Sequence, residues 1–286
     1  MDLTVVVVSF DTRAHLARAL ASVFADGAGL ALEVVVVDNA STDGSAEAVR
    51  RDFPAARLVT NDANRYYAAA NNQGFALARG RYVLVLNPDA EVRPGTLPAL
   101  VAALDARPEV GVASPRMTWP DGRVQRNCAA ERTFGDVLLE HTPLGLLLPW
   151  WRAGRRERAW YGDWDRESER EVGVLPGACL LIRRTVLEEV GGFDETLVHY
   201  FGEDDLCARV RQAGHGVRYV PVGAVAHEEG ASARRRPRAV RRLYFGDLAR
   251  FARKRFGPGR ARLLAVLAGP MRAGLDVAGR LRGESA

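Results

Sequence analysis

The chain opens on an unbroken run of apolar, mostly β-branched residues, Leu3–Ser9, with no alternation between faces. Such a run predicts a strand buried on both sides, as in a parallel sheet covered by helices. Leu16, Leu20, Val23 and Phe24 then repeat at helical spacing, and Asp26-Gly27 ends the helix. A second apolar strand, 33–37, runs into the polar loop Asp38-Asn39-Ala40-Ser41-Thr42-Asp43-Gly44, and a short helix follows through Val49 and Phe53. A third strand is expected over 56–60, a helix over 68–78, and a fourth strand over 82–86, stopping at Asn87-Pro88-Asp89. Leu97, Leu100, Val101 and Leu104 mark one more helix before a strand at 110–113. This alternation predicts an α/β fold, a mainly parallel, Rossmann-like sheet flanked by helices. Ligands bind beyond the carboxyl ends of such strands. The polar clusters at 9–11, 38–43 and 87–91 all lie there, and position alone nominates them as a site.

The pattern loosens over 117–171, which holds all five tryptophans. Regular signals return with 172–182, then a helix near 185–190 closed by Gly191-Gly192, a helix over 204–213 stopped by Gly214, and a strand over 217–220. After Ser232 the chain is arginine-rich and expected to be helical.

At 286 residues the chain suits one large domain or two fused ones. No apolar run approaches the roughly 20 residues that span a bilayer, and the first residues read as a strand, not a signal peptide. Cys128, Cys179 and Cys207, odd in number and far apart, fit neither a disulfide framework nor a zinc site, so a reducing cytoplasm is expected. The net charge of +5 hides an asymmetry. Residues 231–286 carry 15 basic and 3 acidic side chains, leaving 25 basic and 32 acidic in the rest.

Several residues in these loops have chemistry to offer. Asp89, fixed just after a strand, could hold a divalent cation against a diphosphate, or Asn87-Pro88-Asp89 could be a simple turn. Asp38 could accept from a base N–H or a ribose hydroxyl, whereas Asp43 reads equally well as a helix cap. His227 could join a carboxylate at a metal. In Glu203-Asp204-Asp205, acids favoured by a helix N-terminus compete with a general base.

The order of these pieces resembles glycosyltransferase family 2 of GT-A fold, in particular its rhamnosyltransferase-like branch. The matching blocks are Val5–Phe10, Val36–Ser45, Ala70–Gly74, Leu86–Asp89, Pro176–Arg184, Val190–Glu195, Glu203–Cys207 and His227 with Gly230 and Ser232. Each is weak alone, but together they run in family order over residues 3–232. The resemblance implies a nucleotide-sugar-binding half, 1–115, an acceptor-binding and catalytic half, 116–232, and a basic helical tail, 233–286. It implies Asp38 on a pyrimidine base with Ser9 and Asp11 in the same pocket, Asn64, Asn71 and Asn87 near the nucleotide-sugar, and Pro176, Gly177, Ala178 and Glu203 beside the donor and acceptor sugars. Asp89 and His227 would hold Mg2+ or Mn2+, and Asp204 would be the base of an inverting transfer. The expected donor is dTDP-rhamnose, with a UDP-sugar as the alternative within the family, and the acceptor a glycan or lipid-linked glycan of the cell surface.

Two departures stand out. Asn87 replaces the first acid of the metal motif. Glu203-Asp204 also abuts Asp205-Leu206-Cys207 with no spacer, so alignment from the left makes Asp204 the base and from the right Glu203. A phosphate loop of a nucleotidyltransferase or a GxGxxG of an oxidoreductase is missing after the first strand. An inactive glycan-binding scaffold would not be expected to keep Asp38, Asp89, Asp204 and His227 together. Residues 234–262 interleave arginines with aromatics, a pattern suited to an anionic membrane at the inner face of the cell membrane, or to packing on the domain. No nucleic-acid recognition fold accompanies them. Residues 144–151 are apolar enough for an acceptor-side or interfacial loop.

Overall fold

In a computed structural model, residues 1–228 and 237–281 are described. The elements run β1 (Leu3–Ser9), α1 (Arg13–Asp26), β2 (Leu32–Asp38), α2 (Ser45–Asp52), β3 (Arg57–Thr60), α3 (Tyr66–Phe75), β4 (Tyr82–Leu86), β5 (Ala90–Val92), α4 (Thr96–Asp105), β6 (Val110–Ser114) and β7 (Met117–Thr118). There follow α5 (Phe134–His141), α6 (Leu144–Leu147), α7 (Pro149–Ala159), β8 (Arg170–Glu171), β9 (Cys179–Arg183), α8 (Arg184–Val190), α9 (Gly202–Gln212), β10 (Gly216–Tyr219), β11 (Val225–His227), α10 (Pro237–Phe256) and α11 (Pro258–Leu281). The main sheet has the order β3-β2-β1-β4-β9-β6-β10-β8, and a small sheet the order β5-β11-β7.

The apolar runs become the central strands because both faces of the main sheet are covered. Val5 and Val7 point into one core with Leu16, Leu20 and Leu100, while Val6 points into the other with Val83, Ile182 and Leu206. Strands β3, β2, β1 and β4 are parallel, as are β6 and β10, but β9 runs antiparallel between β4 and β6. The strand expected within 172–182 is thus confined to its last residues. Strands β9 and β10 from the second half complete one sheet with the first half. All three cysteines are buried free thiols, and burial pushes each up to about 12.

The tail forms the third core. Leu248, Phe251, Ala252 and Leu264 are buried against Val137, Leu197 and Phe201, with Tyr244, Phe245 and Phe256 packed around them. The bilayer contact expected of residues 234–262 is revised accordingly: the described part of that stretch turns much of its aromatic face inward, where it meets α5 and the loop before α9. Residues 234–236 lie outside the described part of the chain.

Asp247 of α10 is fully buried. It accepts from the backbone N–H groups of Val198, His199 and Tyr200 at 3.1, 2.8 and 2.9 Å, and Arg250 pairs with it at 2.9 Å. Asp247→Ala would leave buried donors and Arg250 without a partner, at about 3 kcal/mol. Urea unfolding should show a lower midpoint with an unchanged slope; an unmoved midpoint would show that the carboxylate does not anchor the loop.

Candidate active site

An open cleft of about 940 Å3 lies beyond the carboxyl ends of β1, β2 and β4. Its first wall follows directly from those strand ends: Val8 near the end of β1 and Phe10 just after it, Asn39 after β2, and Asn87, Pro88 and Asp89 after β4. The reversed strand β9 supplies the next piece. Cys179 pairs with Leu86, so the residues that precede it, Pro176, Gly177 and Ala178, lie beside the turn after β4. Asn87 N–H donates to Ala178 O at 3.0 Å and locks the two segments together.

The small sheet delivers His227. In the β5–β11 ladder His227 is opposite Ala90, and Glu228 N–H donates to Asp89 O at 3.0 Å. His227 Nε2 thereby comes within 3.4 Å of Asp89 Oδ1, both side chains being about nine-tenths buried. Gln125 Nε2 fixes the histidine backbone by donating to His227 O at 2.9 Å. Among the described residues no third His, Cys, Asp or Glu joins them to form a metal-binding cluster. One carboxylate and one imidazole suit a hard divalent cation that takes its remaining ligands from phosphate and water.

Three acids begin α9, and their fates differ. Asp204 Oδ1 accepts from Arg132 Nε at 2.8 Å, and Asp205 is held by Arg209 at 2.7 Å and Lys254 at 2.8 Å. Glu203 alone of the three lines the cleft. Desolvation, reinforced by the charge of Asp204 and opposed by Arg132, raises its pKa to about 7. Burial also lifts Asp204, against the pull of Arg132. Tyr67 completes this corner by donating its hydroxyl to Gly177 O at 2.9 Å.

The loops around the nucleotide end are tied to one another. Asp11 Oδ1 accepts from Thr42 N–H at 2.7 Å, and Asp43 accepts from Arg13 N–H at 2.8 Å. Asn39 Oδ1 accepts from Asn61 Nδ2 at 2.9 Å, and its amide donates to Tyr66 O at 3.2 Å, which positions Asn64 and Tyr66 at the cleft. Asp11, Ala40, Tyr66 and Phe201 all have left-handed backbones, with φ of 52°, 64°, 60° and 62°. Strain of this kind persists where surrounding contacts over-determine a site.

Of the residues nominated from sequence, Asn64, Asn87, Asp89, Pro176, Gly177, Ala178, Glu203 and His227 share the cleft lining. Asp38 is buried and not among the lining side chains; its Oδ2 accepts from Ser41 N–H at 3.0 Å, and its Oδ1 has no hydrogen-bond partner among the described residues. Ser9 and Asp11, expected in the base pocket, brace loops instead, Ser9 through a 3.0 Å contact with Thr12 Oγ1. Asn71 is buried within α3 and donates to Tyr67 O at 2.9 Å, because a helix interior turns that position inward. Asp204, expected as the base, is the acid paired with Arg132 and does not line the cleft. Sequence reading passed over Asn39, Tyr67, Arg132 and Asp247. It also passed over Asn72, which clamps the backbone of Phe193 from both sides. Asn39 and Asn72 stood inside quoted blocks and were open to notice; Arg132 and Asp247 had no local signal.

The sheet order, with a reversed β9 and an open cleft at the strand ends, is that of a GT-A fold. Residues 4–191 match the family described as Glycosyl transferase family 2, and the chain belongs to that family. It is similar to the N-acetylglucosaminyl-diphospho-decaprenol L-rhamnosyltransferase of Mycobacterium tuberculosis, with 34% identity over 82% of this chain and 78% of that one. It also resembles the O-antigen biosynthesis protein RfbC of Myxococcus xanthus, with 31% identity over 80% of this chain and 17% of that one. Among solved structures, the mannosyltransferase PcManGT of Pyrobaculum calidifontis, in complex with GDP-Man and Mn2+, superposes with a TM-score of 0.56. That match has 21% identity and covers 98% of this chain and 79% of that one. GalNAc-T7, solved with UDP, GalNAc and Mn2+, gives a TM-score of 0.59 at 17% identity over 79% of this chain and 44% of that one. At these identities both establish the fold.

A Cβ placed on Gly177 would overlap the Glu203 carboxylate and stand 2.8 Å from Tyr67 Oη. Gly177→Ala should therefore displace Glu203 and lower kcat about a hundredfold, with little change in melting temperature. Turnover within a factor of two of the parent protein would show that Glu203 needs no such fixed place.

Proposed function

We propose that the protein transfers rhamnose from dTDP-rhamnose to a lipid-diphosphate-linked sugar, with inversion at the anomeric carbon. The observation that carries the reading is a cleft with a lone, desolvated carboxylate on one wall and the Asp89–His227 pair on another. The donor and acceptor classes rest on the mycobacterial relative, whose name specifies rhamnosyl transfer to N-acetylglucosaminyl-diphospho-decaprenol.

In this reading the acceptor hydroxyl oxygen attacks the anomeric carbon from the face opposite the diphosphate. The C–O bond to the diphosphate breaks, its electron pair leaves with the nucleoside diphosphate, and Glu203 takes the hydroxyl proton. Glu203 is preferred to Asp204 because it faces the cleft and makes no ion pair among the described residues, whereas Asp204 is held by Arg132. Its pKa of about 7 suits a base that must be ionised at neutral pH yet still attract a proton. Asp89 and His227 would hold Mg2+ or Mn2+, which when bound neutralises charge on the diphosphate. Asp38 is the proposed acceptor for a pyrimidine N–H, which would satisfy its unpartnered Oδ1. Ser9 and Asp11 act indirectly, by shaping the loops at that end. Asn71 supports Tyr67 from within α3.

Glu203 works as a base only when ionised, so kcat should fall about tenfold per pH unit below about pH 7 and level off above it. Glu203→Gln should lower transfer about a hundredfold or more and remove that limb. Asp204→Asn should keep the limb. The reverse pattern, with Asp204→Asn silent and Glu203→Gln active, would return the role to Asp204.

Chelation of divalent metal should stop transfer, and Mg2+ or Mn2+ should restore it. Asp89→Asn should abolish that restoration, and His227→Ala should raise the metal concentration for half-maximal rate about tenfold. Full transfer in the presence of excess chelator would overturn the metal assignment.

A further inference from the structure

One surface has no part in the cleft and, among the described residues, no partner in the fold. Helices α6 and α7 present Leu146, Leu147, Leu148, Trp150 and Trp151 to solvent, with exposures of 66%, 73%, 46%, 75% and 65%. These residues are nearly consecutive, and α7 has no buried residue at all. Soluble proteins scatter exposed apolar residues singly; a cluster with two adjacent tryptophans marks a binding surface. Tryptophan is moreover the residue that settles at the membrane–water boundary.

The charges beside the cluster point to the kind of partner. Arg156 and Arg158 are exposed and Arg152 is half-buried, and none has an ion pair among the described residues. Arg158 follows Trp151 by seven residues and so lies on the same helix face, two turns on. Arg155 is different, because it is tied to Asp136 at 2.7 Å and to Thr133, which fastens α7 to α5. An apolar nose backed by arginines without partners matches a bilayer with anionic headgroups. Among the described residues no helix is long and apolar enough to cross a membrane, so the contact would be peripheral.

We infer that α6 and α7 form a membrane-docking surface that seats the protein on anionic lipid. The three leucines and two tryptophans enter the acyl boundary, and Arg158, on the Trp151 face, meets the headgroups, with exposed Arg156 at its side and Arg152 turned toward α5. Trp160, which directly follows α7, lines the cleft. Docking there brings the cleft to the bilayer surface, within reach of a substrate carried by lipid. The inference is read from the surface alone and needs neither donor nor acceptor to be tested.

The experiment uses the full chain and vesicles of phosphatidylcholine with or without phosphatidylglycerol, with no sugar substrate. The parent protein should pellet with the anionic vesicles, less so as salt is raised, and brominated acyl chains should quench its tryptophan emission. Leu147→Glu, and separately Arg156→Glu with Arg158→Glu, should weaken pelleting about tenfold or more without lowering the melting temperature. Trp150→Ser with Trp151→Ser should do the same and remove the quenching. Three results would overturn the inference: a parent protein that stays in the supernatant, variants that pellet like the parent, or a parent dimer that the tryptophan variant converts to monomer while vesicle binding is unchanged.

Discussion

The direction of β9 is the constraint on which the rest of the site depends. Parallel strands present their carboxyl ends at one edge of the sheet, and β9, between β4 and β6, enters that edge by its amino end, as does only the two-residue β8 at the sheet margin. Its register, Leu86 opposite Cys179, sets Ala178 O against Asn87 N–H and Gly177 against Tyr67 and Glu203. A slip by one residue would exchange Leu180 and Ile182 with Cys179 and Leu181 between the two cores. Core packing therefore fixes the register, and the register fixes the site.

Charge pairing at the start of α9 then separates three adjacent acids. A helix N-terminus favours them collectively, but like charges in one turn repel and must be neutralised or desolvated apart. Asp205 is neutralised by Arg209 and Lys254, and Asp204 by Arg132. Lys254 is the only lysine of the chain and spans Asp205 and Asp194 at 2.8 and 2.6 Å. Its compact ammonium reaches two carboxylates from one point. Glu203 is left facing the cleft without an ion pair among the described residues, and desolvation, with the charge of Asp204 beside it, raises its pKa. The tail helix α10 thus reaches the site twice, through Lys254 and through the loop held by Asp247.

Strands β1, β2 and β4 were legible to within a residue because burial on both faces leaves an unbroken apolar run. The two- and three-residue strands β5, β7, β8 and β11 were not, since so short a segment has no period to read. This mattered for function: the β5–β11 ladder is what brings His227 to Asp89. Strand-end position and, for the 176–178 segment, the family resemblance nominated residues that share the cleft lining, but neither says where a loop side chain points. Ser9 and Asp11 sit at the right end and face other loop residues. Arg132 and Asp247 act across 72 and 49 residues, and nothing in their own neighbourhoods marks them.

Two stretches carried the same compositional signal, arginines among aromatics and leucines, and the fold treats them oppositely. An amphipathic basic helix fits a bilayer or a protein core equally well on pattern alone. What decides is whether its apolar face finds a partner within the chain. On α10, Leu248 and Phe251 are each 2% exposed, and drawing either side chain out of the third core costs about 1.5–3 kcal/mol before the bonds of Asp247 are counted. Lifting that helix onto a membrane would open the loop beside Glu203. On α6 and α7 the leucines and tryptophans have no such contacts to lose, so lipid can cover them without disturbing the cleft. Membrane contact through the apolar face of α10 would disturb the third core and the loop beside Glu203, whereas contact through α6 and α7 leaves both in place.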